Sequence, residues 1–248
     1  MVTRKRFGQH FLHDPGIRRR LLEAIAPAPG ERIVEIGPGE GALTRPLLER
    51  AGALTAIEID RDLAARLAAE FADGRLELIC ADALEFDFSS LPPGVRLVGN
   101  LPYNISTPLL FLLARHAGQA RDMHFMLQRE VVERMVAAPS TPEYGRLTVM
   151  LQTRFRMEKL FRVPAAAFRP PPRVESAVVR LVPLAPPDWD LALLEGLVRR
   201  AFSARRKTLR NALPLAPGDY AALGIDPGLR PENLSPADYL RIARRAAD

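Results

Sequence analysis

The chain has 248 residues, 48% of them apolar and 26% charged, which is long enough for a full core and ordinary for a globular protein in water. No apolar run approaches the roughly 20 residues that span a bilayer, the N-terminus carries no signal-like apolar segment, and a single cysteine excludes an internal disulfide and a cysteine-rich zinc module. These features predict a cytoplasmic protein with no membrane contact and no metal, and a net charge of +6 favours an anionic partner.

Residues 1–20 carry six Arg or Lys against one acid, Asp14. From Arg32 to Gln128 short apolar runs alternate with helical patterns. The runs predict strands at 32–37, 54–60, 76–82, 95–100 and 123–128, with helices over 43–51, 61–72, 107–116 and 129–137 between them. Strand and helix in this rhythm predict a parallel, doubly wound sheet covered on both faces. Cys80 falls in the third run, where a buried, inert thiol is expected. Pro108 suits the first turn of its helix, with Ser106 or Thr107 as the cap. After Tyr144, GRLTVMLQTRF reads as a buried helix running into a strand. RMEKLFRVP and ESAVVRLVP read as two further strands, giving about seven in all, the last of them antiparallel. APPDWD (185–190) reads as a linker, and 191–248 returns to helical periodicity broken by prolines. The expected division is therefore a catalytic α/β domain over 1–187 and a small helical, RNA-orienting domain over 188–248. Within that tail, 199–210 (RRAFSARRKTLR) holds six basic residues and no acid. A single helix there would put Arg199, Arg206 and Arg210 on one face and turn Phe202 and Leu209 inward. Arginine's planar fork of donors suits phosphates and stacks on bases, so the two basic clusters point to nucleic acid, although either alone would serve as a solvated face.

Open parallel sheets bind ligands beyond the carboxyl ends of their strands. Those ends carry the glycine turn Gly37-Pro38-Gly39-Glu40-Gly41, then Glu58 and Asp60, then Asp82, then Asn100. Glycines let a ligand approach the backbone. Glu58 lies 21 residues beyond Gly37, the separation at which a carboxylate takes both ribose hydroxyls. A nicotinamide dinucleotide site would want G-x-G-x-x-G under a pyrophosphate. Here the third glycine comes one residue early and Glu40 adds negative charge. A ligand with a ribose, an adenine and a cationic sulfonium but no phosphate fits better. Asp82 can accept from an adenine amino group, and it equally suits a helix N-cap before Ala83.

Asn100-Leu101-Pro102-Tyr103 sits at the fourth strand end, where a transferable methyl group would point. The amino nitrogen of adenine is a weak nucleophile because its lone pair is delocalised into the ring. It gains reactivity when acceptors hold both protons in a pyramidal geometry. Asn100 can supply a side-chain carbonyl and Leu101 or Pro102 a backbone carbonyl, while Tyr103 offers a face for an extruded base.

The stretches RKRFGQHFL (4–12), VEIGPGEGALT (34–44), AIEIDRDLAARL (56–67), GNLPYNISTPLL (99–110), DMHFMLQREVVERM (122–135), AFRPPPRVESAVVRL (167–181) and AFSARRKTLRN (201–211) run in order along essentially the whole chain. Together they resemble the KsgA-type family of small-subunit ribosomal RNA adenine N6,N6-dimethyltransferases, within the wider group that includes the Erm resistance methyltransferases. The resemblance implies a Rossmann-like S-adenosylmethionine-dependent methyltransferase fold. It implies cofactor contacts at His10, Leu12, Gly37, Glu58, Asp82 and Asn100, alongside the Gly39 turn, with 4–12 folded over the cofactor. The family usually has asparagine where this chain has His10, a change that a backbone contact survives. The resemblance also places Phe168 opposite Tyr103 as the second wall of a base-stacking slot. The activity implied is transfer of two methyl groups to each of two adjacent adenines in the 3′-terminal hairpin of small-subunit rRNA, on a partly assembled particle. The alternatives are Erm-type modification of large-subunit rRNA, a non-catalytic assembly factor, and a dinucleotide-dependent oxidoreductase.

Overall fold

The computed structural model describes residues 9–185, 189–213 and 215–246. The basic residues Arg4, Lys5 and Arg6 and the expected boundary near 187 lie outside the described residues. By internal contacts the chain forms two compact units, Met1–Val132 with Met157–Pro183, and Glu133–Arg156 with Leu184–Asp248.

The first unit is built on a seven-stranded sheet. Its strands are β2 (Ile33–Ile36), β3 (Leu54–Glu58), β4 (Leu76–Cys80), β5 (Val95–Asn100), β6 (Ala120–Gln128), β7 (Phe155–Val163) and β9 (Ser176–Pro183), in spatial order β4-β3-β2-β5-β6-β9-β7. Pairings from β4 through β6 are parallel, and β9 runs antiparallel to β6 with Gln128 opposite Ser176. β2 is buried at every position, as expected of a central parallel strand. The structure thus bears out the α/β fold and the antiparallel closing strand.

Helices α1 (Pro15–Ile25), α2 (Thr44–Ala51), α3 (Arg61–Glu70), α4 (Tyr103–Arg115) and the start of α5 (Arg129–Met135) belong to the same unit. α1 begins where Asp14 accepts from the Ile17 amide and Pro15 takes the first helical position. Leu21, Leu22 and Ile25 of α1 and Leu47 and Leu48 of α2 join one apolar cluster with Leu12, Val98, Met126, Phe168 and Val178. A two-stranded ladder, β1 (Phe11–Leu12) with β8 (Phe168–Arg169), ties the N-terminal segment to the run before β9, with Leu12 opposite Phe168.

Three expectations need correction. α4 starts at Tyr103, so Pro108 lies inside the helix and not in its first turn. Ser106 is no cap; its hydroxyl donates back to the Tyr103 carbonyl at 3.0 Å. Cys80 is exposed, because β4 is an edge strand paired only with β3. Residues 199–210 are not one helix: α7 (Leu191–Ser203) ends, and α8 (Leu209–Ala212) begins after a turn. The reason is local. Ser203 turns its hydroxyl onto the Arg200 carbonyl, while the amides of Leu209 and Arg210 bond the carbonyls of Leu229 and Pro227. Amides committed to another loop cannot continue α7.

The second unit, which also holds α9 (Pro217–Leu223), packs α6 (Arg146–Gln152) and α10 (Pro236–Arg245) against α7. Its phenols are satisfied by backbone: Tyr144 donates to the Leu234 carbonyl at 2.7 Å and Tyr239 to the Pro231 carbonyl at 2.8 Å. Phe202 stacks on Tyr239, and Leu209 is buried. Among the described residues no helix is long and apolar enough to cross a membrane.

Candidate functional site

Strand order reverses between β2 and its neighbours β3 and β5, and a cavity of about 360 Å³ opens at the carboxyl ends of those strands. Gly37 and Gly39 from the turn after β2, Glu58 from the end of β3, Asp82 after β4, and Asn100, Leu101, Pro102 and Tyr103 after β5 all line it. His10 and Leu12 line it from the N-terminal segment. Phe168 is not among the lining residues.

Gly39 has φ +57°, and a Cβ there would come within 3.1 Å of the Phe11 ring. The close approach of β1 to this turn therefore requires glycine. One strand over, a Cβ on Gly99 would sit 2.5 Å from the Ile36 carbonyl oxygen, so glycine is also what lets β5 lie tightly beside β2 just before Asn100.

Glu58 is 4% exposed. Oε2 accepts from the Gly39 amide at 3.0 Å and Oε1 from the Asp60 amide at 2.9 Å. Burial raises its pKa, while these two amides oppose the shift. Each carboxylate oxygen retains a second lone pair for a ligand. Asp60 itself caps α3 through the amides of Asp62 and Leu63. Asp82 caps no helix: its Oδ1 accepts from the Leu84 amide at 2.9 Å and fixes a turn.

Asn100 donates its side-chain Nδ2 to the His10 carbonyl at 2.9 Å. A carbonyl can only accept, so the amide's orientation is determined, and Oδ1 is its remaining acceptor. His10 thus acts here through its backbone, which replacement of asparagine by histidine leaves intact. Its ring is anchored separately, with Nδ1 on the Pro170 carbonyl at 2.8 Å. The Pro102 carbonyl already accepts from the Ile105 amide. Tyr103 is half-buried, its hydroxyl 2.6 Å from Ser176 Oγ, and burial raises its pKa. Its ring lies 5.6 Å from the His10 ring, tilted by 32°.

The slot expected between Tyr103 and Phe168 is not assembled in this structure. Phe168 is 1% exposed and belongs to the apolar cluster with Leu12, Met126 and Val178. Its pairing with Leu12 on β8 holds it there, and the aromatic neighbour of Tyr103 is His10.

Sequence reasoning missed Glu35. It lies 2% exposed in β2, lines the cavity and takes a 2.7 Å hydrogen bond from the Thr44 hydroxyl. Burial pushes its carboxyl up to about 7. Its signal was a lone charge inside the apolar run RIVEIG. Also missed were Ser176, which orients Tyr103, and Gln9, whose amide reaches Asp60 at 3.4 Å.

A cavity of this size is at the lower end of the range for small-molecule sites, about 300–1,000 Å³. Its acids and its glycine turn, with no Lys or Arg in the lining among the described residues, suit a cationic nucleoside better than a pyrophosphate. Comparison with known proteins agrees with that chemistry. The ribosomal RNA adenine dimethylase family matches residues 2–248. A ribosomal RNA small subunit methyltransferase A of Thiobacillus denitrificans is 61% identical, covering 97% of this chain and 96% of the relative. The protein of that name from Aromatoleum aromaticum is 59% identical, covering 99% and 94%. Among solved structures, a dimethyladenosine transferase from Plasmodium falciparum superposes with a TM-score of 0.82 at 27% identity, covering 94% of this chain and 96% of that one. The 23S rRNA methyltransferase ErmE superposes at 0.73 with 28% identity, covering 96% and 100%.

Proposed function

The chain belongs to the ribosomal RNA adenine dimethylase family, and from that premise we propose that it methylates two adjacent adenines, twice each at N6, in the 3′-terminal hairpin of small-subunit rRNA. Its relatives named small subunit methyltransferase A are 53–61% identical over nearly full length. They favour the small subunit over the Erm-type alternative. A partly assembled small subunit in the cytoplasm is the proposed substrate. The second unit, with its exposed arginines, is proposed to orient it.

The proposed cofactor is S-adenosylmethionine, which supplies an electrophilic methyl group on a cationic sulfonium. The proposed contacts are Glu58 for the ribose, Asp82 for the adenine amino group, the Gly37–Gly39 turn for the chain that bears the sulfonium, and His10 and Leu12 as cover. Asn100 Oδ1 and a backbone carbonyl of Leu101 or Pro102 are proposed to accept the two protons of the target amine. Holding both protons pulls the nitrogen out of the ring plane and localises its lone pair. No strong general base is needed, because the nitrogen becomes acidic as it is alkylated, so positioning supplies most of the rate. Tyr103 is proposed to stack on the extruded base. A second wall from Phe168 would require its ring to leave the core, at a cost of about 1.5–3 kcal/mol.

The observation that carries this reading is the Asn100 amide. Its nitrogen is held by His10, which leaves its oxygen as the free acceptor of a residue that lines an acid-rich cavity. The test is methyl transfer from labelled S-adenosylmethionine to unmethylated small subunits, with the modified bases mapped. Asn100→Ala at saturating cofactor should lower turnover by roughly a hundredfold or more. Near-normal turnover would mean that another group holds the amine.

A further inference from the structure

A second cavity, of about 420 Å³, is lined by Gln128, Arg129, Glu130, Arg173, Val174 and Glu175. It lies where β6 ends and β9 begins, on the sheet edge that also carries Asn100, since Asn100 pairs with Met126 and Gln128 with Ser176. Ser176 is the hydrogen-bond partner of Tyr103, so the lining residue Glu175 is one position along the chain from the residue that orients the proposed base platform. The charges in this cavity are not equivalent. Arg129 is spent on Glu175 at 2.8 Å. Arg173 is exposed, and among the described residues it makes no ion pair. Next to it Val174 is 47% exposed, an apolar side chain left in water at the tip of the Pro-rich turn.

We propose that this cavity is a subsite for the nucleotide next to the target adenine, with Arg173 on its phosphate and Val174 against its base. The inference rests on the function proposed above, which puts a flipped adenine at Tyr103 and an RNA strand leading away from it. An unpaired arginine meets the phosphate requirement, and an exposed apolar side chain gives a base face something to cover. Gln128 and Glu130 add acceptors at the rim, which suits a neighbour bearing an exocyclic amine. The second adenine of an adjacent pair is such a neighbour. One strand could thus be held in the same groove while the bases are presented in turn.

The experiment compares wild type, Arg173→Glu, Arg173→Lys and Val174→Asp on unmethylated small subunits across a salt series, with cofactor affinity measured separately by calorimetry. Arg173→Glu should raise the RNA KM by about tenfold or more and make the plot of log affinity against log salt shallower by about one. Arg173→Lys should restore most of both. Val174→Asp should raise the RNA KM, with cofactor affinity at the wild-type value throughout. Wild-type RNA KM and salt slope in Arg173→Glu would overturn the subsite, as would a parallel loss of cofactor affinity. Failure of the wild-type chain itself to methylate small subunits would overturn the function proposed above and the subsite with it.

Discussion

Glu35 and His124 sit 2% and 1% exposed on neighbouring regions of the same sheet, and burial drives their pKa values in opposite directions from ordinary. For Glu35 burial outweighs the Thr44 hydroxyl and raises the carboxyl to about 7, with Glu58 adding to the rise and Arg45 opposing it. For His124 burial lowers the imidazole to about 4, opposed by Asp122 and reinforced by Arg96 and Arg180. A raised carboxyl contributes stability below its unfolded pKa that is lost as pH climbs through about 7. A depressed imidazole contributes stability above its unfolded pKa that is lost as pH falls through about 4. Each effect is worth at most ~3 kcal/mol, and over pH 4.5–6.5 the two oppose one another. The stability advantage of Glu35→Gln over wild type should therefore grow with rising pH. That of His124→Leu should grow with falling pH. Urea midpoints taken from pH 4.5 to 7 read both gaps directly, and pH-independent gaps would mean that folding shifts the titration of neither group.

At the scale of elements, the two-residue ladder of β1 with β8 decides how the N-terminal segment covers the site. Phe168 is the core anchor of that ladder. Phe168→Ala should cost about 3–5 kcal/mol in unfolding free energy. Tyr103→Ala should chiefly weaken capture of RNA, by about 1–3 kcal/mol. A stable Phe168→Ala protein that has lost RNA methylation would place that ring on the base and not in the core. Most elements were legible in advance, because strands such as 33–36 and 54–58 are short, mainly apolar runs of the kind that a buried parallel sheet requires. The strand-end residues followed from the sheet. What stayed hidden depended on distant partners. The bond between Asn100 and His10 spans 90 positions, and periodicity does not say which buried strand position, such as Glu35, meets a cavity. The helix expected over 199–210 failed because the amides of Leu209 and Arg210 find carbonyls near 227–229, and no local pattern announces such a pairing.

For the molecule as a whole, the net charge of +6 overstates what is available to a phosphate backbone. Within the basic tail Arg205 is committed, with Nε on Glu232 at 2.6 Å and a second nitrogen on the Pro142 carbonyl at 3.1 Å. Arg206 and Lys207 are exposed. Replacing both with alanine should make the salt slope for small-subunit binding shallower by about two, and adding Arg205→Ala should not deepen the effect. Calorimetry should find cofactor affinity unchanged. A wild-type salt slope in the double variant would move the main RNA contact elsewhere.

The division of the chain into units also sets an order in time. Glu133–Arg156 belongs with Leu184–Asp248 and not with the sheet that surrounds it in sequence. During synthesis, Tyr144, Leu147 and Leu151 emerge well before α10, which begins 80 residues after Arg156. At ~5–20 residues per second this leaves an apolar segment without its full cover for about 4–16 s, with only α7 available to it before α10 is made. The same argument applies to a chain stopped at residue 187. It would keep that segment and lose its cover, so it should aggregate where the full chain remains monodisperse in sedimentation. A nascent chain of this protein must shelter its middle until its end has been made.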